Sequence, residues 1–337
     1  GEFHMRKGLF TLLSLVCAGL IWAAPAPANA ADKIVIRFAH SNTPSDMDPY
    51  HALVTKMNDK LVKKLGADRI EIQEFPAGQI GSEERSFQDV QQGILQMTVL
   101  AVNNASIFAP SLGAFDLPYI FKSVKEFDDC VDQNWDLINK RMEAESGTIA
   151  IAWHSQGFRF ITNSKQPVAK LADLAPVKIR TPNNPIMIGV YRAWGTDPVP
   201  MAMDETFNAL QQKVVDGQDN PLPTVQSAKF YEVQKSISLT NHLVDSVWPT
   251  INLNTWNKLT DTQKGWVMEA VEAARVACDE QNIKTESEVQ DFLREQGLTI
   301  YEADVAAFAD HVLETYLADP ISDTWDKDLL AQIQAMA

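Results

Sequence analysis

The chain has 337 residues, 45% of them hydrophobic and 22% charged, and its 44 acidic against 29 basic side chains give a formal net charge of −15. A polyanion of this size excludes nucleic acid and anionic lipid as partners, and its length suits two domains better than one. A small anionic ligand would need a local cluster of positive charge.

Gly1 to His4 precede the first methionine and read as a vector remnant. From Met5 the chain has a basic start (Arg6, Lys7), an apolar stretch from Leu9 to Trp22 and a small-residue exit at Ala28-Asn29-Ala30. This pattern predicts a secretory signal peptide, so residues 1–30 stay out of the fold argument and residues 31–337 are expected in a bacterial periplasm. Cys17 follows Val16 rather than a small residue, so no lipid anchor is expected. Cys130 and Cys278 could pair in an oxidising compartment, but two buried thiols are the favoured state.

Lys33 to Ala39 is a β-branched run of strand length, broken by His40-Ser41-Asn42-Thr43-Pro44. Tyr50 to Leu65 is helical, with Leu53, Met57 and Leu61 every fourth position up to Gly66. Arg69 to Gln73 predicts a second strand. Ser82 opens a helix to about Gln92, and Met97 to Val102 forms a third strand. This β-α-β-α-β order implies a mostly parallel sheet. It restarts after Gly147 with strands at Thr148–Trp153, Phe158–Thr162 and Val177–Arg180, a helix at Pro185–Trp194, an extended piece at Asp197–Met201 and a helix at Glu205–Lys213. Thr260 to roughly Gln296 is a helix too long for one ordinary domain. No low-complexity linker separates the halves, so crossing strands are expected to join them.

Catalytic patterns are absent. The histidines at 40, 51, 154, 242 and 311 form no H-E-x-x-H or closely spaced pair, and no G-x-S-x-G, P-loop or G-x-G-x-x-G occurs, so no metal and no cofactor is expected. Glu83-Glu84 and Asp128-Asp129 read as solvated helix faces, and His154 as a structural histidine. Binding is better supported. Arg180 ends a strand that Thr181-Pro182 stops, and Arg159 lies on another strand of the same half. Strand ends of open α/β sheets are where ligands sit, and a guanidinium fork matches a carboxylate. Two ordinary salt-bridged arginines are the bland alternative.

Gly157-Phe158-Arg159, Thr162-Asn163-Ser164-Lys165 and Val177-Lys178-Ile179-Arg180-Thr181-Pro182 resemble the extracytoplasmic solute-binding proteins of TRAP transporters (tripartite ATP-independent periplasmic, DctP-like). So do Pro200-Met201-Ala202, Val215-Asp216-Gly217-Gln218-Asp219-Asn220-Pro221-Leu222 and Lys229-Phe230-Tyr231-Glu232. The resemblance runs through essentially all of residues 31–337. It implies a two-lobed α/β binding protein of Venus-flytrap type, with a long helix spanning both lobes, divided as 31–156 plus 246–285 and 157–245 plus 286–337. It implies that Arg180 pairs with a ligand carboxylate, that Arg159 assists and that Asn220 hydrogen-bonds the same end. The loop His40-Ser41-Asn42 would reach in from the other lobe.

The receptor so implied is no enzyme and needs no cofactor. It would act as a monomer that delivers a small organic acid anion to TRAP integral membrane permease subunits. A periplasmic enzyme acting on a carboxylate, or a sensor for a membrane kinase, are the alternatives. Ala101-Val102-Asn103-Asn104 stands where sialic-acid receptors carry a charged segment, which argues against sialic acid and makes Asn104 a candidate contact. Met203, Phe207 and Trp248 are apolar candidates for the cleft, although Met203 and Phe207, at helical spacing, also fit core packing. If Trp248 and Trp153 face the cleft, an aromatic or otherwise apolar carboxylate follows.

Overall fold

The β-branched run after Lys33 forms β1 (Ile34–Ala39), the first strand of the computed structural model, which describes residues 33–66, 69–175, 177–317 and 320–336. The expected signal peptide lies outside the described residues. Next come α1 (Pro49–Leu65), β2 (Ile70–Phe75), α2 (Glu83–Gln91), β3 (Met97–Ala101), α3 (Val102–Phe108), α4 (Val124–Ser146) and β4 (Thr148–Ala150). The middle holds β5 (His154–Asn163), β6 (Lys178–Thr181), α5 (Pro185–Ala193), β7 (Asp197–Pro200), α6 (Met203–Gln211), β8 (Gly217–Pro221) and α7 (Leu222–Ser227). The remainder is β9 (Ser236–Leu239), β10 (Val244–Asn252), α8 (Leu253–Lys258), α9 (Asp261–Glu295), β11 (Thr299–Glu302), α10 (Val305–Leu317) and α11 (Lys327–Met336).

Capping chemistry explains most of the boundaries. The Asp48 carboxylate accepts from the Tyr50 and His51 amides ahead of Pro49, and Ser82, Ser123 and Asn184 do the same for α2, α4 and α5. Thr260 and Gln263 form a reciprocal capping box at the start of α9.

The strands run in the order β2-β1-β3-β10-β5-β8-β6-β7, with β4 beside β10, β9 beside β5 and β11 beside β9. Both outer parts are parallel, as expected: β1 with β2 and β3, and β6 with β7 and β8. The centre departs from the mostly parallel expectation, because β10 is antiparallel to β3, β4 and β5, and β5 is antiparallel to β8 and β9. An antiparallel partner needs no crossover helix, so β5 and β10 pass directly from one half to the other. These are the crossing strands, and their pairing slips register between Asp245 and Ser246.

Packing follows the same division. The first part of α9 buries Val267, Val271, Ala274 and Cys278 in one core with Leu53, Met57 and Leu61 of α1. Its far end buries Val289 and Leu293 with Val225 and Phe230. One helix therefore touches both cores. Trp248 is fully buried, edge-on to Phe115 at 5.9 Å and to Trp135 at 6.4 Å, with its indole N–H donated to Ser246 Oγ. Trp153 packs against Phe127 beneath the Arg275 guanidinium. Neither faces a cleft: β10 turns Trp248 into the core, which corrects its candidacy as a ligand contact. Cys130 and Cys278 are both buried. Among the described residues no helix is long and apolar enough to cross a membrane.

Gly217 opens β8 against β5, where a Cβ would strike the Thr162 carbonyl and stand 2.8 Å from Asn163 Cβ. Gly217→Ala is expected to cost roughly 2–4 kcal/mol, whereas Gly265→Ala on the open side of α9, with nothing within 4 Å of the new Cβ, should stabilise by about 0.5–1 kcal/mol. Urea midpoints measure both, and a neutral Gly217→Ala would contradict the tight β5–β8 approach.

Candidate functional site

The ends of β1, β3, β6 and β8 and the first turns of α1, α2 and α6 converge on the crossing strands. There they surround a small, partly open cavity of ≈ 30 Å³. One wall carries Asn42, Tyr50, Glu83, Asn103 and Asn104; the other carries Gln156, Arg159, Arg180, Asn220 and Asp245, with Pro182 and Met203 beside them. Arg180 is at the carboxyl end of β6 because Pro182 has no N–H to continue the ladder.

The two arginines differ in what holds them. Arg159 Nε donates to Asp219 Oδ2, Nη1 to Asp245 Oδ2 and Nη2 to the Asp219 carbonyl oxygen, each at 2.6 Å. Burial alone would lower its pKa, but the two carboxylates raise it well above the ordinary guanidinium value. Burial would likewise raise Asp219, yet Arg159 and His242 hold its carboxyl well below the usual range. Behind it the His242 ring lies 3.2 Å from Asp219 Oδ2 and 2.8 Å from Thr240 Oγ1.

Arg180 is 4% exposed and has no carboxylate within ion-pair distance among the described residues. Its Nε and Nη2 both donate to the Met201 carbonyl oxygen, at 3.1 and 2.8 Å. That carbonyl fills the side fork of the guanidinium, and Arg180 lines the cavity. Burial depresses its pKa to about 10. A buried cation held by one neutral dipole is the electrostatic feature that sets this site apart.

The opposite wall is rich in acceptors. Glu83 Oε1 accepts the Ala101 N–H at 2.6 Å, and Oε2 lies 3.3 Å from Ser41 Oγ and 3.5 Å from Tyr50 Oη. Burial pushes the Glu83 carboxyl up to about 7 against the hydrogen bonds from Asn104 and Ala101. The reading of Glu83 as solvated charge is thus overturned: Ser82 caps α2, which sets Glu83 at the first helical position, facing inward.

Of the sequence candidates, Arg159, Arg180, Asn220, Asn42, Asn104 and Met203 line the cavity. Asn220 directs its amide N–H groups to Gln218 Oε1 and Met203 Sδ. Ser41 and Phe207 line a wider adjoining groove of ≈ 620 Å³. Ser41 reaches the cavity through Glu83, and Phe207 packs against the core of α7 and α9 as its spacing allowed. His40 lies outside the cavity. Its Nε2 and Nδ1 of His51 both meet Glu74 Oε1 at 2.7 Å, which brings together three metal-type ligand groups that sequence spacing kept apart. One carboxylate oxygen meets one nitrogen of each ring, and His40 Nδ1 is buried without a hydrogen-bond partner. His154 is buried and lines nothing in the cavity. Sequence reasoning missed Glu83, Tyr50, Gln156 and Asp245.

Residues 38–318 match the family described as bacterial extracellular solute-binding protein, family 7. A solute-binding protein of Roseobacter denitrificans is 31% identical over 315 residues, 92% of this chain and 95% of that protein. The 2,3-diketo-L-gulonate-binding periplasmic protein of Escherichia coli is 30% identical, over 87% of this chain and 88% of that one. A TRAP periplasmic solute-binding protein of Polaromonas, solved bound to D-erythronate, superposes with a TM-score of 0.83 at 29% identity, covering 90% of this chain and 99% of that one.

The buried carboxyls carry a pH signature. Glu83 and Asp116 both sit at about 7 in the folded protein against ordinary values of 4.5 and 3.8. Between those limits the folded state holds protons that the unfolded chain has released, so their contribution to stability falls as pH rises through the window. Asp219 has the opposite shift and acts only below the ordinary value of 3.8, where its stabilisation is lost as pH falls. Glu83→Gln is expected to gain stability relative to the wild type, by on the order of 2 kcal/mol, between about pH 5 and about pH 8. Melting curves read this directly, and a pH-independent difference would contradict it.

Proposed function

The chain belongs to the bacterial extracellular solute-binding proteins, family 7, and from that premise we propose that it captures a small organic carboxylate at Arg180 and delivers it to a TRAP membrane permease in the periplasm. The observation that carries this reading is the buried Arg180 guanidinium, which lines the cavity with its Nη1–Nη2 end not taken up by the Met201 carbonyl, while no protein carboxylate among the described residues pairs with it. A carboxylate fits that end with two parallel bonds, each charge-assisted and worth roughly 1.5–3 kcal/mol. The acidic protein repels anions from a distance, so this local cation is what retains one.

Arg159 supports the clamp indirectly. Three of its donors are committed to Asp219 and Asp245, so its role is to neutralise those carboxylates beside Arg180, with the remaining donors able to assist a ligand. Asn220 stands in the same wall at the end of β8. Residues 31–156 plus 246–285 and 157–245 plus 286–337 are the two lobes of this reading, hinged where β5 and β10 cross. Contacts such as Thr43 Oγ1 to the Ser227 carbonyl oxygen join the lobes across the mouth. The relatives bound to D-erythronate and 2,3-diketo-L-gulonate support a carboxylate ligand.

A thermal-shift screen over keto, sugar, dicarboxylic and aromatic acids identifies the ligand, which should add about 2.7 kcal/mol at a hundred times its dissociation constant. Arg180→Ala is expected to lower its affinity at least about 100-fold, the loss of both bonds, with the fold retained because no partner charge is stranded. Arg159→Ala should instead cost about 3–5 kcal/mol of stability, since it strands two buried carboxylates. Calorimetry returning wild-type affinity for Arg180→Ala would refute the clamp.

A further inference from the structure

A second polar cluster lies outside the cavity, on the β1-α1-β2 unit. His40 follows β1, His51 is the third residue of α1 and Glu74 is the penultimate residue of β2. The parallel pairing that sets Phe38 opposite Glu74 brings the two strand ends together. Backbone bonds then pin His40: its N–H donates to the Phe75 carbonyl oxygen at 3.0 Å, and its carbonyl oxygen accepts the Gly78 N–H at 3.2 Å. Asp48 accepts from the Tyr50 and His51 amides, which fixes where His51 leaves the helix. Two rings from different elements thus converge on one carboxylate. His40 Nε2 and His51 Nδ1 each stand 2.7 Å from Glu74 Oε1, with the ring planes inclined at 57°.

Two imidazole nitrogens and one carboxylate oxygen, all within 4.8 Å of one another, match a ligand set that holds zinc with a fourth position left to water. Tetrahedral bonds of about 2.0–2.2 Å place ligand atoms roughly 3.3 Å apart, so each contact to Glu74 Oε1 has only to open by about half an ångström. The Glu74 side chain is 20% exposed and that of His51 16%, which gives them room to adjust and an ion a way in from solvent. Charge favours a cation here. Among the described residues no lysine or arginine pairs with Glu74. The Asp46 carboxylate lies 3.9 Å from His51 Nε2, and buried Asp48 is close enough to His40 for their charges to interact. An outer carboxylate such as Asp46 orients a ligating ring and makes it a better donor.

We propose that His40, His51 and Glu74 bind one divalent transition ion of the zinc class, with solvent in the remaining position. Ca²⁺ and Mg²⁺ are disfavoured, because they demand oxygen ligands and this set offers two nitrogens. The competing arrangement is a hydrogen-bonded triad in which both rings donate N–H to Glu74 and no ion is needed. A bound ion fastens the end of β1, the start of α1 and the end of β2 to one point. His40 begins the loop that carries Asn42 to the cavity wall, where the Asn42 amide donates to Asp48 Oδ2. The ion therefore stiffens that loop, and it stabilises the fold by binding only the folded chain.

The test titrates the whole protein, stripped of metal by a chelator, with zinc chloride in a non-coordinating buffer at neutral pH. Calorimetry should show one Zn²⁺ per chain with a dissociation constant of about 10 μM or tighter, and the ion should raise the melting midpoint. Calcium and magnesium chlorides at about ten times the zinc concentration should do neither. His51→Ala and Glu74→Gln should each weaken zinc at least about 100-fold, and Asp46→Asn about tenfold. Glu74→Gln keeps the side chain's volume and an acceptor oxygen, so it reads ligation apart from folding, and melting of each metal-free variant checks that it folds. Absence of saturable zinc binding leaves the hydrogen-bonded triad and overturns the proposal. So does wild-type zinc affinity in either His51→Ala or Glu74→Gln, which places the ion elsewhere, or calcium or magnesium binding as tight as zinc. No carboxylate ligand is present in these titrations, so their outcome is independent of the Arg180 clamp.

Discussion

Two guanidiniums are buried side by side in this protein, and their unequal compensation organises everything around them. Arg159 has two carboxylates and a carbonyl, and Arg180 has a carbonyl alone. Had Asp219 and Asp245 been shared evenly, the site would be a neutral ion-pair network of structural character only. Their concentration on Arg159 leaves a net positive point at Arg180 inside a chain of strongly negative charge. Desolvation makes that point strong, because the field of a buried charge is little screened. The same Arg159 charge opposes protonation of Arg180, so the two cations are poised against each other until an anion arrives.

The scaffold that enforces this arrangement is the antiparallel pair at the centre of the sheet. β5 carries Arg159 and β10 carries Asp245, and the register slip at Asp245/Ser246 falls beside Gly157 of β5, which has φ +86. β8 runs along the other side of β5, with Asp219 opposite Ile161 and Pro221 opposite Arg159. The Arg159 network is therefore a product of three adjacent strands, and it ties the clamp to the two strands that pass between the halves. Tyr191 and Trp194 pack edge-on to each other, and both rings meet His242, sealing the network from water on its far side.

Much of this was legible in the sequence, and the part that was not has definite causes. Helix starts were readable because caps are local chemistry: Ser82, Asn184 and Thr260 each accept from amides two or three residues on. Arg180 was readable because Pro182 ends its strand. β10 was not, since Asp245, Ser246 and Pro249 interrupt its apolar run, and only pairing on both edges makes it a strand. The loss of β10 hid Asp245 and left Trp248 free to be placed in the cleft. Glu83 was misread for a different reason. An acidic residue in the first turn of a helix is favoured by the dipole wherever it points, so its burial is visible only once α2 is docked against β3.

In the hinge reading proposed above, closure of the halves would follow from the same electrostatics. Contacts between the halves include Thr43 Oγ1 donating to the Ser227 carbonyl oxygen, Ser227 Oγ donating to Asp48, and the Asn183 amide donating to Glu84. Such bonds contribute about 1 kcal/mol each to a neutral acceptor and about 1.5–3 kcal/mol to a charged one, against the several kcal/mol it costs to bury an uncompensated cation such as Arg180. The cost of bringing the walls together around a bare guanidinium therefore opposes those contacts. Moving a two-state equilibrium from mostly open to mostly closed needs about 5.5 kcal/mol of differential binding. A carboxylate held by two charge-assisted bonds supplies roughly 3–6 kcal/mol, and only in the closed form, where both walls exclude water. On the proposed reading the uncompensated charge serves twice, as the hold on the ligand and as the penalty that keeps the lobes apart until the ligand removes it.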